Sequence, residues 1–230
     1  MVADGPVQIE FYLKYFSMNS TFKFTLVSLG TLIAITLLII SVTNRLILTV
    51  NFYDINGNYL AGNPSQENEV FDSLLKWIYI STVGYMLFKL FLISLILYTA
   101  LYLSDKQVRF TRIFNVVTLC DFIFILPAII KILWFHFNYP EGTLLQWQNL
   151  HILSAMSMFG NVTPDWYYPL ETLNVFEIVY WFLLAFGISK ITRLDFDNSL
   201  RIILSSYVPA LFIWVCVVAF CTLMIIPQSA

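Results

Sequence analysis

The chain has 230 residues, of which 59% are hydrophobic and only 11% are charged, and its formal net charge at pH 7 is -2. A soluble domain of this length carries about 25% charged residues, so we expect lipid to cover much of the apolar surface of this protein. The slightly negative charge and the lack of a basic stripe exclude a nucleic-acid-binding protein. The composition therefore indicates an integral membrane protein.

Five apolar stretches are long enough to cross a bilayer, which takes about 20 residues per helix. They cover approximately residues 24–42, 77–103, 113–137, 175–191 and 202–226. Two long connections, approximately residues 50–73 and 138–172, join the first span to the second and the third to the fourth. We therefore predict an all-α fold: one membrane domain over residues 1–230, built as a bundle of five transmembrane helices.

The basic residues are distributed unequally between the two sides of these spans. Eight Lys and Arg residues precede the first span or lie in the two shorter connections, whereas only Arg45 and Lys76 lie on the opposite side. Because basic loops are retained in the cytoplasm, this distribution predicts the N-terminus inside and the C-terminus outside. The basic residues either determine this topology, which we prefer, or also contact anionic lipid headgroups; the candidates for headgroup contact are Lys106, Arg109, Arg112, Lys190 and Arg193.

Four ionisable residues, Lys89, Asp121, Lys131 and Glu177, fall inside the apolar stretches. Such residues usually pair, line a cavity or serve function, because burying charge in hydrocarbon costs several kcal/mol. Lys89 and Glu177 both lie about 21 Å from the predicted inner face, which predicts an ion pair between them. Asp121 has no cation at its own depth, and Lys131 lies close enough to the outer end to extend outward. Either these charges fix the register of a structural bundle, or three of them line a polar cavity or ion path.

Several local patterns predict irregular features. Pro127 and Pro209 are expected to kink the third and fifth spans. In the first connection, residues 50–53 followed by Asn56-Gly57 fit either a small hairpin or an irregular loop. In the second, the apolar residues between 144 and 159 fit either a helix along the outer interface or a short helix packed on the end of the bundle.

The sequence contains no recognisable catalytic or metal-binding pattern. Neither histidine, His136 or His151, belongs to a His-Glu-x-x-His motif, and there is no nucleophile elbow, phosphate-binding loop or glycine-rich dinucleotide turn. The three cysteines fall inside apolar stretches without a Cys-x-x-Cys pair. We therefore expect a protein that is not an enzyme and that binds no metal or other cofactor.

Three segments have a further pattern in common with known proteins: Leu173–Trp181, Leu183–Ile188 and Ile123–Ile132. With the five spans, they resemble the Yip family of membrane proteins, in particular its bacterial relatives of unassigned function. The resemblance implies a protein of a bacterial inner (plasma) membrane that organises the membrane or binds partners. The expected partners are membrane lipids and another membrane protein.

The alternative is a small transporter, channel or permease subunit that uses Lys89, Asp121 and Glu177. Residues 104–112 and 192–201, the connections on the predicted inner side, leave room for only a turn or two of helix. The permease subunit of an importer-type ABC transporter needs a substantial coupling helix there to contact its ATPase. The short connections therefore weigh against such a permease, and a small channel or an accessory subunit stays possible as the alternative.

Overall fold

The computed structural model describes residues 5–55, 64–140, 142–159 and 162–225. Nine α-helices are found in these ranges: α1 (Gly5–Leu46), α2 (Val50–Ile55), α3 (Pro64–Leu103), α4 (Phe110–Asp121), α5 (Ile125–Asn138), α6 (Leu144–Asn149), α7 (Pro164–Thr172), α8 (Val175–Thr192) and α9 (Phe196–Ile225). The only β pairing in the same ranges is one isolated bridge between Ser154 and Asn174. The predicted all-α class is confirmed.

Five stretches of the described chain are long and apolar enough to cross a membrane, as predicted: Phe22–Leu46, Glu67–Leu103, Phe110–Asn138, Val175–Thr192 and Phe196–Thr222. Large apolar side chains such as Trp77, Phe91, Phe186 and Phe212 are exposed on the outside of the bundle, where lipid would cover them. The orientation of the termini stays a prediction.

Helix α4 lies at the centre of the bundle and packs against α1, α3 and α8, while α9 packs against α3, α7 and α8. The main apolar core joins these helices through fully buried residues such as Leu97 of α3, Val117 of α4 and Leu184 of α8. Helices α4 and α8 approach closely at Gly187, where an added side chain would overlap Val116. The core therefore fixes α4 tightly against its neighbours.

The third span is interrupted near its middle. Helix α4 ends at Asp121, Phe122–Phe124 forms a 3-10 turn, and α5 follows. Pro127 accounts for the interruption, because it has no N–H to donate to the carbonyl oxygen of Ile123. In contrast, α9 continues as one helix through Pro209. The helix of the third span is therefore broken close to Pro127, whereas the fifth span is one helix through Pro209; the kinks themselves stay predictions.

The first long connection differs from its prediction, whereas the second matches one of its two alternatives. Residues Val50–Ile55 form α2, so neither a hairpin strand nor an irregular loop forms there, and Asn56-Gly57 lies outside the described residues. The second part of this connection is also helical, because α3 begins well before the predicted start of the second span at residue 77. Of the two alternatives for residues 144–159, the long helix along the outer interface is wrong. The short helix packed on the end of the bundle is found: it is α6, and its Trp147 packs against Phe135.

Candidate functional site

An ion pair joins the middle of α3 to the end of α4. Lys89 Nζ lies 2.5 Å from Asp121 Oδ1, and the exposed fractions of the two side chains are 25% and 6%. Oδ1 has no partner with hydrogen-bond geometry in the described part of the chain, so the contact is an ion pair alone. The predicted pair between Lys89 and Glu177 is wrong, as is the prediction that Asp121 has no cation at its depth.

The depth estimate was wrong for two reasons. The third span starts at Phe110 rather than residue 113, which adds about 4.5 Å to the depth of Asp121 at a rise of 1.5 Å per residue. The flexible four-carbon stem of Lys89 also carries its ammonium group away from its own backbone position. A lysine therefore pairs with the carboxylate that its stem can reach, and the count of residues along each helix does not decide the partner.

The 3-10 turn supplies a second contact for the ammonium group of Lys89. Nζ lies 4.4 Å from the centroid of the Phe124 ring, which is a cation–π contact. The Phe124 ring packs in turn against the fully buried Tyr180, with 5.1 Å between centroids. The interruption of the third span thus places an aromatic ring beneath the charge, and Lys89 is held between a carboxylate and a ring.

Glu177 is buried at the start of α8, and no cation of the described residues forms an ion pair with it. Its Oε1 accepts hydrogen bonds from Trp181 Nε1, at 3.0 Å, and from the Tyr207 hydroxyl, at 2.8 Å. The side chain of Asn174 caps α8 by accepting from the backbone N–H of Glu177 at 2.8 Å. A carboxylate in the first turn of a helix is also stabilised by the helix dipole. Neutral donors and the helix end therefore offset the cost of burial at this position.

Lys89 and Glu177 both line a cavity of about 290 Å³, which we name cavity A. Cavity A is bounded by α3, α7, α9 and the start of α8. Tyr168, Glu171 and Thr172 line its α7 end. The interpretation in which Lys89, Asp121 and Glu177 line one cavity fits only in part, because cavity A is lined by Lys89 and Glu177 but not by Asp121.

A second cavity of about 290 Å³, cavity B, lies between α1, α3 and the third span. Its wall is mostly apolar and includes Thr36, Thr82 and Asp121. Cavities A and B have three lining residues in common: Tyr85, Lys89 and Phe124. The ion pair of Lys89 with Asp121 therefore lies where the two cavities meet.

The remaining predicted site residues lie elsewhere. Lys131 Nζ lies 4.7 Å from the centroid of the Trp147 ring, toward the end of the bundle that carries α6, and it lines neither cavity. Five basic residues at the other end are exposed and form no ion pair within the described ranges: Lys106, Arg109, Arg112, Lys190 and Arg193. Contact of these five with lipid headgroups stays a prediction.

Sequence reasoning missed the aromatic residues of the site. Trp181 could have been found, because it lies four positions after Glu177 and thus on the same helix face. The cap could also have been found, because Asn174 followed three residues later by Glu177 is a helix-start signature. Tyr168 and Trp214 of cavity A gave no such local signal.

Comparison of the chain with protein-family models, curated proteins and solved structures found no match. The class of protein is therefore defined by the fold and the site: an all-helical protein with five helices suited to crossing a membrane. Within the bundle it has a charged ion pair at the junction of two cavities.

Proposed function

We propose that this protein is a non-enzymatic, multi-pass membrane protein that binds a membrane lipid in cavity A. The observation that carries the proposal is the gradient of polarity along the cavity wall. Glu171, Thr172 and Glu177 line its α7 end, whereas Leu92 and Ile96 line the part toward the C-terminal end of α3. A lipid with its headgroup at the α7 end and its chains toward the bilayer centre matches this gradient.

The size and position of cavity A also suit a lipid. Its volume of about 290 Å³ is near the lower end of small-molecule pockets, at about 300–1,000 Å³, and gives room for a headgroup and the first part of a chain. The helix rise places Ile96 about 10 Å along α3 from Lys89. Phe88, which lines the same wall, is half-exposed on the bundle surface. The rest of an acyl chain would therefore extend between α3 and α9 into the bilayer.

The proposal includes membership of the Yip-like proteins and residence in a bacterial inner membrane, where another membrane protein would be a further partner. Its support is the resemblance of Leu173–Ile188 and Ile123–Ile132 to bacterial Yip-domain proteins. These segments contain Glu177 and Phe124, two of the residues that line cavity A. The segments that carry the resemblance thus contribute two residues to the proposed binding site, and α3, α7 and α9 contribute the others.

The test is native mass spectrometry of the full chain purified in a mild nonionic detergent, which measures how much lipid stays bound. Ala210→Trp fills cavity A from α9, whereas Ile213→Trp adds the same ring on the exposed face of that helix. We expect bound lipid in the natural protein and in Ile213→Trp, and its loss in Ala210→Trp. Equal occupancy in all three proteins would contradict the proposal.

Transport is a second candidate function, favoured by the position of cavity B. Because Lys89 and Phe124 line both cavities, movement of the Lys89 side chain away from Asp121 would join cavities A and B into one continuous path within the bundle. The ion pair would then act as the gate of a small transporter or channel.

Ion flux into vesicles that contain the purified protein tests this second function. Asp121→Asn releases Lys89 and should raise the flux above that of the natural protein. Asp195→Asn, which neutralises an exposed carboxylate in the connection between α8 and α9, is the matched control. Flux that equals that of protein-free vesicles in all samples would rule out transport of the ions tested.

A further inference from the structure

Cavity A has more acidic than basic side chains. The charge of Lys89 is offset by Asp121, which leaves the carboxyl groups of Glu171 and Glu177. Glu171 is exposed, with Oε1 3.5 Å from Nδ1 of His151. Glu177 accepts both of its side-chain hydrogen bonds at Oε1, while Oε2 accepts none from the described residues. A cationic group in cavity A would therefore meet an available carboxyl oxygen.

Aromatic rings form much of the remaining wall of cavity A: Tyr85, Phe88, Tyr168, Tyr207 and Trp214. Trp214 Nε1 donates to the Tyr168 hydroxyl at 3.1 Å, and the Phe88 ring lies 6.3 Å from the Trp214 ring, centroid to centroid. The faces of aromatic rings attract cations, and a cage of such rings is the usual site for quaternary ammonium ligands. The side chains of Phe88, Tyr168 and Trp214 are therefore held in place by one another before any ligand enters.

The positive charge of Lys89 does not make cavity A a site for anions. Its ammonium group already contacts Asp121 on one side and the Phe124 ring on the other. An anionic headgroup would have to displace Asp121 from this lysine, and it would also meet the carboxyl groups of Glu171 and Glu177. Both effects oppose the binding of an anion.

From this geometry we infer that cavity A selects lipids whose headgroup carries an ammonium cation. The cation lies against the rings of Tyr168, Tyr207 and Trp214, beside Oε2 of Glu177, and the acyl chains follow α3 toward the bilayer centre. The inference rests on the proposed lipid-binding function and adds the class of headgroup to it.

The test is a competition between phosphatidylcholine and phosphatidylglycerol with identical acyl chains, mixed in equal amounts with the purified full chain. Both lipids carry the phosphate, and only phosphatidylcholine carries the ammonium group. Native mass spectrometry then counts each lipid bound to the protein. We expect about fivefold to tenfold enrichment of phosphatidylcholine, an effect between that of an exposed and that of a fully desolvated cation–π contact.

Two variants, which we call the cage variants, distinguish binding of the ammonium group from lipid binding in general. Trp214→Leu and Glu177→Gln should each lower the enrichment below about twofold while lipid stays bound, because each removes one attractive partner of the cation. Trp166→Leu is the matched control, since it removes an exposed indole of α7 that does not line cavity A. Thermal unfolding of each variant identifies any that fails to fold, and either cage variant alone is sufficient for the test.

The possible outcomes distinguish the selection of the headgroup from lipid binding itself. Equal binding of the two lipids, or enrichment that survives both cage variants, would overturn the inference and leave lipid binding in place. Preference for phosphatidylglycerol would overturn it too, because it would assign the headgroup site to Lys89. A protein that retains no lipid would overturn the inference together with the proposed function.

Discussion

Replacing Lys89 by Met removes the ammonium group and keeps an unbranched side chain of similar length. Asp121 then loses its cation, and at 5% exposure it has little access to water. Removing one partner of a buried ion pair costs about 3–5 kcal/mol. We expect a loss of about 3 kcal/mol in the free energy of unfolding, at the lower end of that range, because the Lys89 side chain is 25% exposed and the pair is partly solvated from the start.

The opposite replacement, Asp121→Asn, should cost less, about 1–2 kcal/mol. Lys89 would keep its contact with the Phe124 ring and its access to both cavities. The double variant with Lys89→Met and Asp121→Asn should be more stable than the sum of the two single effects predicts, by about 1–3 kcal/mol. The coupling arises because the second replacement removes a carboxylate that the first has left without a cation.

The assay is equilibrium unfolding of the purified chain in mixed micelles, titrated with sodium dodecyl sulfate and followed by tryptophan fluorescence. A second cycle that combines Lys89→Met with Glu177→Gln is the control. Its coupling should be smaller, because Glu177 is held by Tyr207 and Trp181. Additive effects of Lys89→Met and Asp121→Asn would refute the ion pair as a stabilising contact. Larger coupling in the control cycle would do the same.

Four further replacements have definite expected effects in the same unfolding assay. Tyr207→Phe removes a hydrogen bond to the buried carboxylate of α8 and should cost about 1–2 kcal/mol; a change within error would mean that this bond adds no stability. Asn174→Ala removes the cap of α8 and should cost about 1 kcal/mol, whereas no loss would show that the cap is dispensable. Gly187→Ala would force a methyl group against Val116 and should cost about 1–3 kcal/mol. Gly84→Ala, where an added Cβ meets nothing within 4 Å, should leave stability unchanged or raise it by up to about 1 kcal/mol; equal effects at the two glycines would contradict the close approach of α4 and α8.

The apolar stretches were sufficient to predict five membrane-spanning helices, because a helix in hydrocarbon needs a continuous apolar surface over its length. The same criterion missed the first turns of α3, where Glu67, Glu69 and Asp72 interrupt the apolar pattern. Backbone hydrogen bonds, and not contact with lipid, determine where that helix starts. It begins at Pro64, a residue well suited to the first helical position.

The candidate site was predictable only in part, because its contacts join helices that are distant in sequence. The hydrogen bond between Glu177 and Tyr207 could have been anticipated. Only three residues join α8 to α9, so these helices are antiparallel neighbours. Both residues lie at comparable distances from this connection. The bond between Trp214 and Tyr168 could not, because it depends on how α7 folds over the end of α9. Periodicity along one helix carries no information about such a contact.

The 3-10 turn at Phe122–Phe124 divides the third span into two mechanical units. Helix α4 is held by α1, α3 and α8, whereas α5 packs against α1 and shares a small apolar cluster with α6 through Ile132 and Phe135. We expect the turn that carries Phe124 to act as a hinge between α4 and α5. A tilt of α5 at its α6 end would then move the Phe124 ring. This movement would change the walls of both cavities and the environment of the Lys89 charge.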